Sequence, residues 1–136
     1  AVNILNSIGA IGYISENPNP NRVLAECQKK EIPILAIRAV QAGALTSSMD
    51  RKPHPSGMDQ ADFNDFERAL PFRELAKEWG ESPASLAHRY ALSVEKVSSV
   101  ILGIKNLKEL QECIDAEKKG KLDSHEIETL LNLFKE

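Results

Sequence analysis

Short apolar runs alternate with longer segments of helical spacing along this chain. The runs at 1–5, 34–37 and 98–102 are rich in Val, Ile and Leu, the composition of strands. The run at 34–37 is nearly unbroken by polar residues, which is typical of a parallel strand covered on both faces. We therefore predict three strands and expect the second and third to be buried.

Apolar residues spaced three and four apart predict six helices. They cover 22–31, 59–70, 71–79, 83–93, 107 to about 118, and a terminal segment after Asp123. Ser82, Asn106 and Asp123 are suitable N-caps, because their short polar side chains can accept a hydrogen bond from the first helical turn. Glu109 and Glu126 follow the last two caps at the capping-box spacing.

Strands that alternate with helices imply right-handed crossovers and a parallel sheet, so the predicted fold class is α/β. Two polar stretches that contain prolines, at 6–21 and 47–57, are predicted loops. A closed eight-stranded α/β barrel takes roughly 250 residues. Three units would therefore form well under half of such a barrel and would leave two open sheet edges.

The third predicted strand runs through Gly103 into the cap of the next helix, with Lys105 at the corner. A helix start presents unpaired N–H groups and the positive end of the helix dipole, so this corner is a candidate anion site. The alternative is a plain connector, because many strand-to-helix corners share this spacing and bind nothing.

Composition limits the classes of function. The chain has 136 residues, 42% of them hydrophobic, and a net charge of −3, which argues against nucleic acid as the main partner. We expect neither a membrane span nor a secretory signal. The two cysteines lack a paired spacing, which suggests reduced thiols in the cytoplasm, and no metal-binding motif occurs. Because the chain starts without Met inside an apolar segment, we expect it to be part of a longer protein.

Four segments together resemble the aldo-keto reductases. Segments 80–92, 97–103 and 107–112 resemble the C-terminal part of that family. Segment 34–46 resembles its seventh-strand motif, in which a strand end is followed by Gly and then Leu-Thr. The resemblance implies a TIM-type (β/α)8 barrel. Residues 1–136 would supply strands six to eight, about three βα units, and the C-terminal helix.

The resemblance also implies an activity. Aldo-keto reductases bind a nicotinamide dinucleotide, usually NADPH, and reduce carbonyl compounds to alcohols, with the cofactor phosphates held by the loops after strands seven and eight. The family's catalytic Tyr, Asp, Lys and His come from earlier strands. This chain would therefore contain no catalytic residue and would be inactive alone. We expect Tyr13, Tyr90, His54, His88 and His125 to have surface or packing roles.

After strand eight, Gly103, Lys105 and Asn106 match the loop that contacts the adenosine 2′-phosphate. Lys105 is the expected charge contact, and Asn106 would touch the phosphate, cap the helix, or do both. Glu109 stands where the family often has Arg or Gln. Its carboxylate would repel a phosphate, which leaves NAD as an alternative to NADP, and its other expected role is to cap the helix. Glu112 matches the acidic residue that binds the adenine amino group.

At the end of strand seven, Arg38 lies near the place where the family has an aromatic residue followed by Ser. Its planar guanidinium could clamp a pyrophosphate or a substrate carboxylate, or could pair with a neighbouring acid at the rim. Gln41 and Gly43 belong to the next loop. Because Gly43 has no Cβ, the backbone there could approach the pyrophosphate.

Two other classes of function are open from the sequence. A barrel of the same family could bind the cofactor only to sense or regulate, or could have a structural role. The chain could also be a free-standing small α/β domain that pairs its open sheet edges with a second copy, rather than with a missing N-terminal part of a barrel.

Overall fold

The computed structural model describes residues 1–5 and 20–135, so most of the loop predicted over 6–21 lies outside the described residues. The elements are α1 (Pro20–Lys29), β1 (Ile34–Ala36), a short 3-10 helix (Gln41–Gly43), α2 (Gln60–Arg68), α3 (Leu70–Glu78), α4 (Pro83–Ser93), β2 (Val97–Val100), α5 (Leu107–Lys119) and α6 (Ser124–Asn132). These helices and the two strands begin and end within about two residues of the predicted positions. None of the described helices is long and apolar enough to cross a membrane.

The two strands pair directly and in parallel. Ala36 lies opposite Val100 and Leu35 opposite Ser99, and the register shifts between Ile34 and Leu35. The chain passes from β1 to β2 through α2, α3 and α4, as expected for a parallel crossover. The α/β class and the parallel pairing predicted from the apolar runs are therefore confirmed.

The prediction of a strand over 1–5 is wrong. A backbone bond from the Val2 N–H to the Ile37 carbonyl at 3.0 Å ties this segment to the residue after β1, and residues 3–5 form a bend and a turn. The Asn3 amide then donates to the Arg38 carbonyl and to the Gln41 side chain, both at 3.0 Å. These bonds tie the bend and the turn to the loop after β1.

The expectation that both strands are buried is also wrong. On one sheet face, Ala36 is fully buried and packs with Ala91 of α4, while Val100 is partly buried against the same small cluster. On the other face, Leu35 is 62% exposed and Ile101, just beyond β2, is 53% exposed. Within the described residues, helices cover only the first face of the sheet. The unbroken apolar runs therefore predicted the strands correctly, but they did not predict that one face is exposed.

The main core lies beneath the loop that follows β1. Its fully buried side chains include Leu5, Leu45, Phe72, Leu86 and Leu130. They come from the N-terminal turn, the loop after β1, and helices α3, α4 and α6. This shared core fixes the loop after β1 against three helices.

The predicted helix starts are confirmed by their hydrogen bonds. The Ser82 hydroxyl accepts from the Ser85 N–H at 3.1 Å, and Pro83 occupies the first turn of α4. At α6, the Asp123 carboxylate accepts from the Glu126 N–H and the Glu126 carboxylate accepts from the Asp123 N–H, each at 2.8 Å. The starts of α4 and α6 therefore follow from residues three positions apart in the sequence.

Candidate functional site

The loops that follow β1 and β2 meet at the carboxyl ends of the two strands. Lys105, in the loop after β2, forms an ion pair with Asp50, in the loop after β1. Arg51 continues this connection, since its guanidinium donates to the Ala42 carbonyl at 2.7 Å and to Asp62 at 2.9 Å. The loop with Lys105 is thus linked to the loop after β1 through Asp50 and Arg51, two residues that the sequence did not assign to a site.

The corner between β2 and α5 is closed by its own side chains. The Asn106 side-chain oxygen accepts from the Glu109 N–H at 3.0 Å, which confirms Asn106 as the N-cap of α5. Glu109 reaches back to accept from the Lys105 N–H at 2.8 Å, one residue earlier than in a standard capping box. The Glu109 carboxylate therefore occupies an amide that an external anion would otherwise use.

The Lys105 ammonium is exposed, and so is its partner Asp50, at 63% and 53% of their side chains. Water screens such a pair, so its contribution to stability is small. Gly103 has open space where a Cβ would lie. The corner therefore combines an accessible backbone with a lysine whose partner can be exchanged at low energetic cost.

The loop after β1 is unusual in its backbone. Arg38, Gln41 and Ala42 have φ angles of 58°, 47° and 53°, and Gly43 follows at 97°. Left-handed conformations in residues other than glycine store strain, and such residues cluster at functional sites. Of these four residues, only Gly43 is of a type that adopts this conformation without a steric cost.

Hydrogen bonds to acids hold this strained loop. The Arg38 guanidinium pairs with Asp62 at 2.9 Å. This contact agrees with the alternative prediction that Arg38 pairs with a neighbouring acid at the rim. The buried Gln41 side chain accepts from Arg38 Nε at 3.3 Å and donates to Asp65 at 2.8 Å. Gln41 thus fixes the loop with its side chain. The Gly43 N–H donates to the Val40 carbonyl at 3.0 Å, and the Gly43 carbonyl accepts from the Thr46 hydroxyl at 2.7 Å.

Arg51, Asp50 and Asp62 are site residues that the sequence reasoning missed. Arg51 lies over the Phe63 ring at 5.4 Å and pairs with Asp59 and Asp62. The only sequence signal was the polar character of the 47–57 loop, which does not specify which charges meet.

Glu112 lies on α5 and is bound by the Ser82 hydroxyl at the start of α4. This contact joins the last of the predicted cofactor residues to the turn between α3 and α4. Glu112 is therefore oriented by a neighbouring helix start.

The buried His88 of α4 lies against the half-buried Cys113 of α5. His88 Nε2 lies 3.4 Å from the Cys113 sulfur, while the buried His88 Nδ1 has no hydrogen-bond partner among the described residues. Burial lowers the pKa of His88 despite the opposing charge of Glu112, and burial with Glu112 and Glu109 raises the pKa of the Cys113 thiol. The raised pKa of Cys113 favours the thiol over the thiolate that nucleophilic chemistry requires. In residues 1–5 and 20–135, no three His, Cys, Asp or Glu side chains are grouped to hold a metal ion.

The lowered pKa of His88 predicts an acid-sensitive stability. Below the ordinary His pKa of about 6.5, the unfolded chain takes up a proton that folded His88 does not, so the free energy of unfolding should fall as pH decreases through this range. Urea unfolding measured from pH 7.5 to 5 checks this. His88→Gln should flatten the decline, whereas His125→Gln, at an exposed position, should leave it unchanged. An equal slope in all three proteins would contradict the prediction.

The fold and this site define an α/β protein with paired loops at the carboxyl ends of parallel strands. The model of the Aldo/keto reductase family matches residues 9–133. The chain therefore belongs to the aldo-keto reductase family, and this membership supports an oxidoreductase-like function. No curated protein matches the chain.

Proposed function

We propose that this chain forms the C-terminal, dinucleotide-binding part of a TIM-type aldo-keto reductase barrel, with β1 and β2 as its seventh and eighth strands. The complete protein would reduce a carbonyl compound to an alcohol with NADP or NAD, and residues 1–136, as one incomplete barrel, would be inactive alone. The exposed sheet face with Leu35 and Ile101 supports this proposal, because apolar strand residues normally face a packed barrel interior.

The observation that carries the cofactor proposal is the meeting of the two loops at Lys105 and Asp50. Phosphate sites in such barrels lie at this end of the strands. Lys105, Asn106, and the backbone at Gly43 and Gly103 would hold the phosphates. When bound, the nicotinamide supplies the hydride for carbonyl reduction.

The other residues predicted to contact the cofactor already bind other groups of this chain. Arg38 pairs with Asp62, which favours a role at the rim, and Gln41 positions the strained loop. Glu109 is engaged in capping and would repel a 2′-phosphate, while Glu112 remains our candidate for the adenine amino group. These acids favour a site in which Lys105 supplies most of the charge for NADP.

Lys105→Glu tests the cofactor proposal. In the intact protein, the variant should weaken NADPH binding by about tenfold or more and NADH binding much less, because a charge-assisted contact to the 2′-phosphate is lost. Titration of the two dinucleotides by fluorescence measures both affinities. Lys108→Glu, an exposed position on the first turn of α5, is the matched control. Equal losses for NADPH and NADH, or no loss, would count against a phosphate contact at Lys105.

The same exposed sheet face also favours a second candidate, a small α/β domain that associates with its own copies. A two-stranded sheet is marginal unless its faces are covered. Size-exclusion chromatography of the chain distinguishes the two. A monodisperse oligomer that melts cooperatively would support the self-associating domain, whereas aggregation would favour part of a barrel.

A further inference from the structure

A cleft of about 520 Å³ lies between the loop after β1 and the turn that joins α3 to α4. Ser47, Arg73, Lys77, Gly80 and Ser82 line it. Its volume falls within the range of about 300–1,000 Å³ that small-molecule sites occupy. None of these five residues was assigned a ligand by the sequence reasoning.

Arg73 is held rigidly in the wall of this cleft. Its NH1 donates to the Phe66 carbonyl at 2.8 Å and to the Ala44 carbonyl at 3.3 Å, and the guanidinium lies 3.8 Å from the Phe66 ring centroid. The remaining N–H groups have no partner among the described residues. A guanidinium fixed in this way can bind an oxyanion without first losing side-chain freedom.

Lys77 follows Arg73 by one helical turn, so both cations extend from the same side of α3. The Lys77 ammonium makes no ion pair or hydrogen bond with any described residue. The acid in the cleft wall, Glu81, is already compensated, since Arg89 donates to it at 2.7 Å and Lys119 at 2.8 Å. The charge of Glu67 acts on Arg73, so Lys77 is the cation of the cleft that has no acidic partner among the described residues.

We propose that this cleft binds a phosphomonoester, with its oxygens held by Arg73 and Lys77 and by the Ser47 hydroxyl. The ester would belong to a phosphorylated small molecule separate from the cofactor, because the proposed function places the 2′-phosphate of NADP at Lys105. The proposal therefore does not rest on the cofactor function.

Titration of the full ¹⁵N-labelled chain with inorganic phosphate and with adenosine 2′-monophosphate tests the proposal. The amide signals of Gly80 and Ser82 should shift in a saturable manner. Lys77→Gln should weaken binding by about tenfold, as expected when a charge-assisted hydrogen bond is lost. Lys118→Gln, an exposed lysine in the last turn of α5, should have no effect. Because Arg73 also anchors two backbone carbonyls, Lys77→Gln carries the test without disturbing the fold.

The two probes distinguish this cleft from the cofactor site. Similar affinities of the cleft for the two probes would support a phosphate-ester site that is separate from the cofactor. Binding of adenosine 2′-monophosphate to the cleft much more tightly than phosphate would overturn that separation. Two outcomes would refute phosphate binding in the cleft without affecting the cofactor proposal. One is that shifts are confined to Gly103, Lys105 and Asn106, and the other is that the Lys77 and Lys118 variants have equal effects. Shifts at Gly80 with no effect of Lys105→Glu on NADPH would support the cleft and refute the Lys105 contact.

Discussion

Arg89→Met is expected to lower the free energy of unfolding by about 3–5 kcal/mol, the usual cost of removing one partner from a buried ion pair. The Arg89 and Glu81 side chains are only 6% and 3% exposed, and their charged atoms lie 2.7 Å apart. Arg89 Nε also donates to the Gly120 carbonyl at 2.8 Å, and its NH2 lies 3.7 Å from Glu126. One side chain thus connects α4 with the turn before it, the end of α5 and the start of α6.

The remaining partners of Glu81 explain why the carboxylate would stay charged in this variant. Burial raises the pKa of Glu81, but hydrogen bonds from Lys119 and Ser85, together with the charge and hydrogen bond of Arg89, outweigh burial and lower it. Removing Arg89 therefore leaves a buried anion with less compensation. This uncompensated charge, rather than lost packing, should be the main cause of the destabilisation.

Urea unfolding of Arg89→Met, Glu81→Gln and the double variant measures this coupling. The double variant should recover part of the stability that Arg89→Met loses, because no uncompensated carboxylate remains. Additive losses in the double variant, or a loss below about 1 kcal/mol for Arg89→Met, would show that the pair is not coupled in the folded state.

Features that depend on residues close in sequence could be predicted. The caps at Ser82, Asn106 and Asp123 each involve a residue three positions later, so spacing alone indicates them. The parallel pairing of β1 and β2 likewise follows from their composition and from the long helical connection between them.

Features that depend on contacts between distant segments could not be predicted. Lys105 pairs with Asp50, which lies 55 positions earlier in the sequence. Residue spacing does not predict a contact between two loops that are separated by three helices. In the segment 1–5, where a strand was expected, the Asn3 side chain donates to residues that lie beyond β1 in the sequence. Leu35 is more exposed than the sequence predicted. Its hydrophobicity indicates that burial would be favourable, but it does not indicate whether another part of the described chain packs against it.

These long-range contacts change the character of the candidate site. The Lys105 ammonium pairs with Asp50, and the Lys105 amide donates to Glu109. On the other loop, Arg38 pairs with Asp62. A phosphate that binds here must therefore replace acids of the same chain. The affinity should depend on the difference between two ionic contacts rather than on the full strength of one.

Phe72→Ala is the second substitution expected to have a large effect, with a loss of about 3–5 kcal/mol in the free energy of unfolding. Phe72 is fully buried on α3, in the same cluster as Ala44, Leu45 and Leu86. The protein around a buried ring collapses only partly when the ring is removed, so a cavity remains and its lining loses contacts. Urea unfolding measures the loss.

Leu70→Ala is the matched control for Phe72→Ala, because Leu70 lies on the same helix and is 52% exposed. Its effect should stay within about 0.5 kcal/mol. Since Ala44 and Leu45 directly follow the strained turn at Gly43, Phe72→Ala should also increase hydrogen exchange at their amides more than at Val100 in β2. Equal exchange at both places would mean that the core does not hold the loop after β1. The strained backbone of the candidate site would then have to be maintained by its polar contacts, among them those with Asp62 and Asp65.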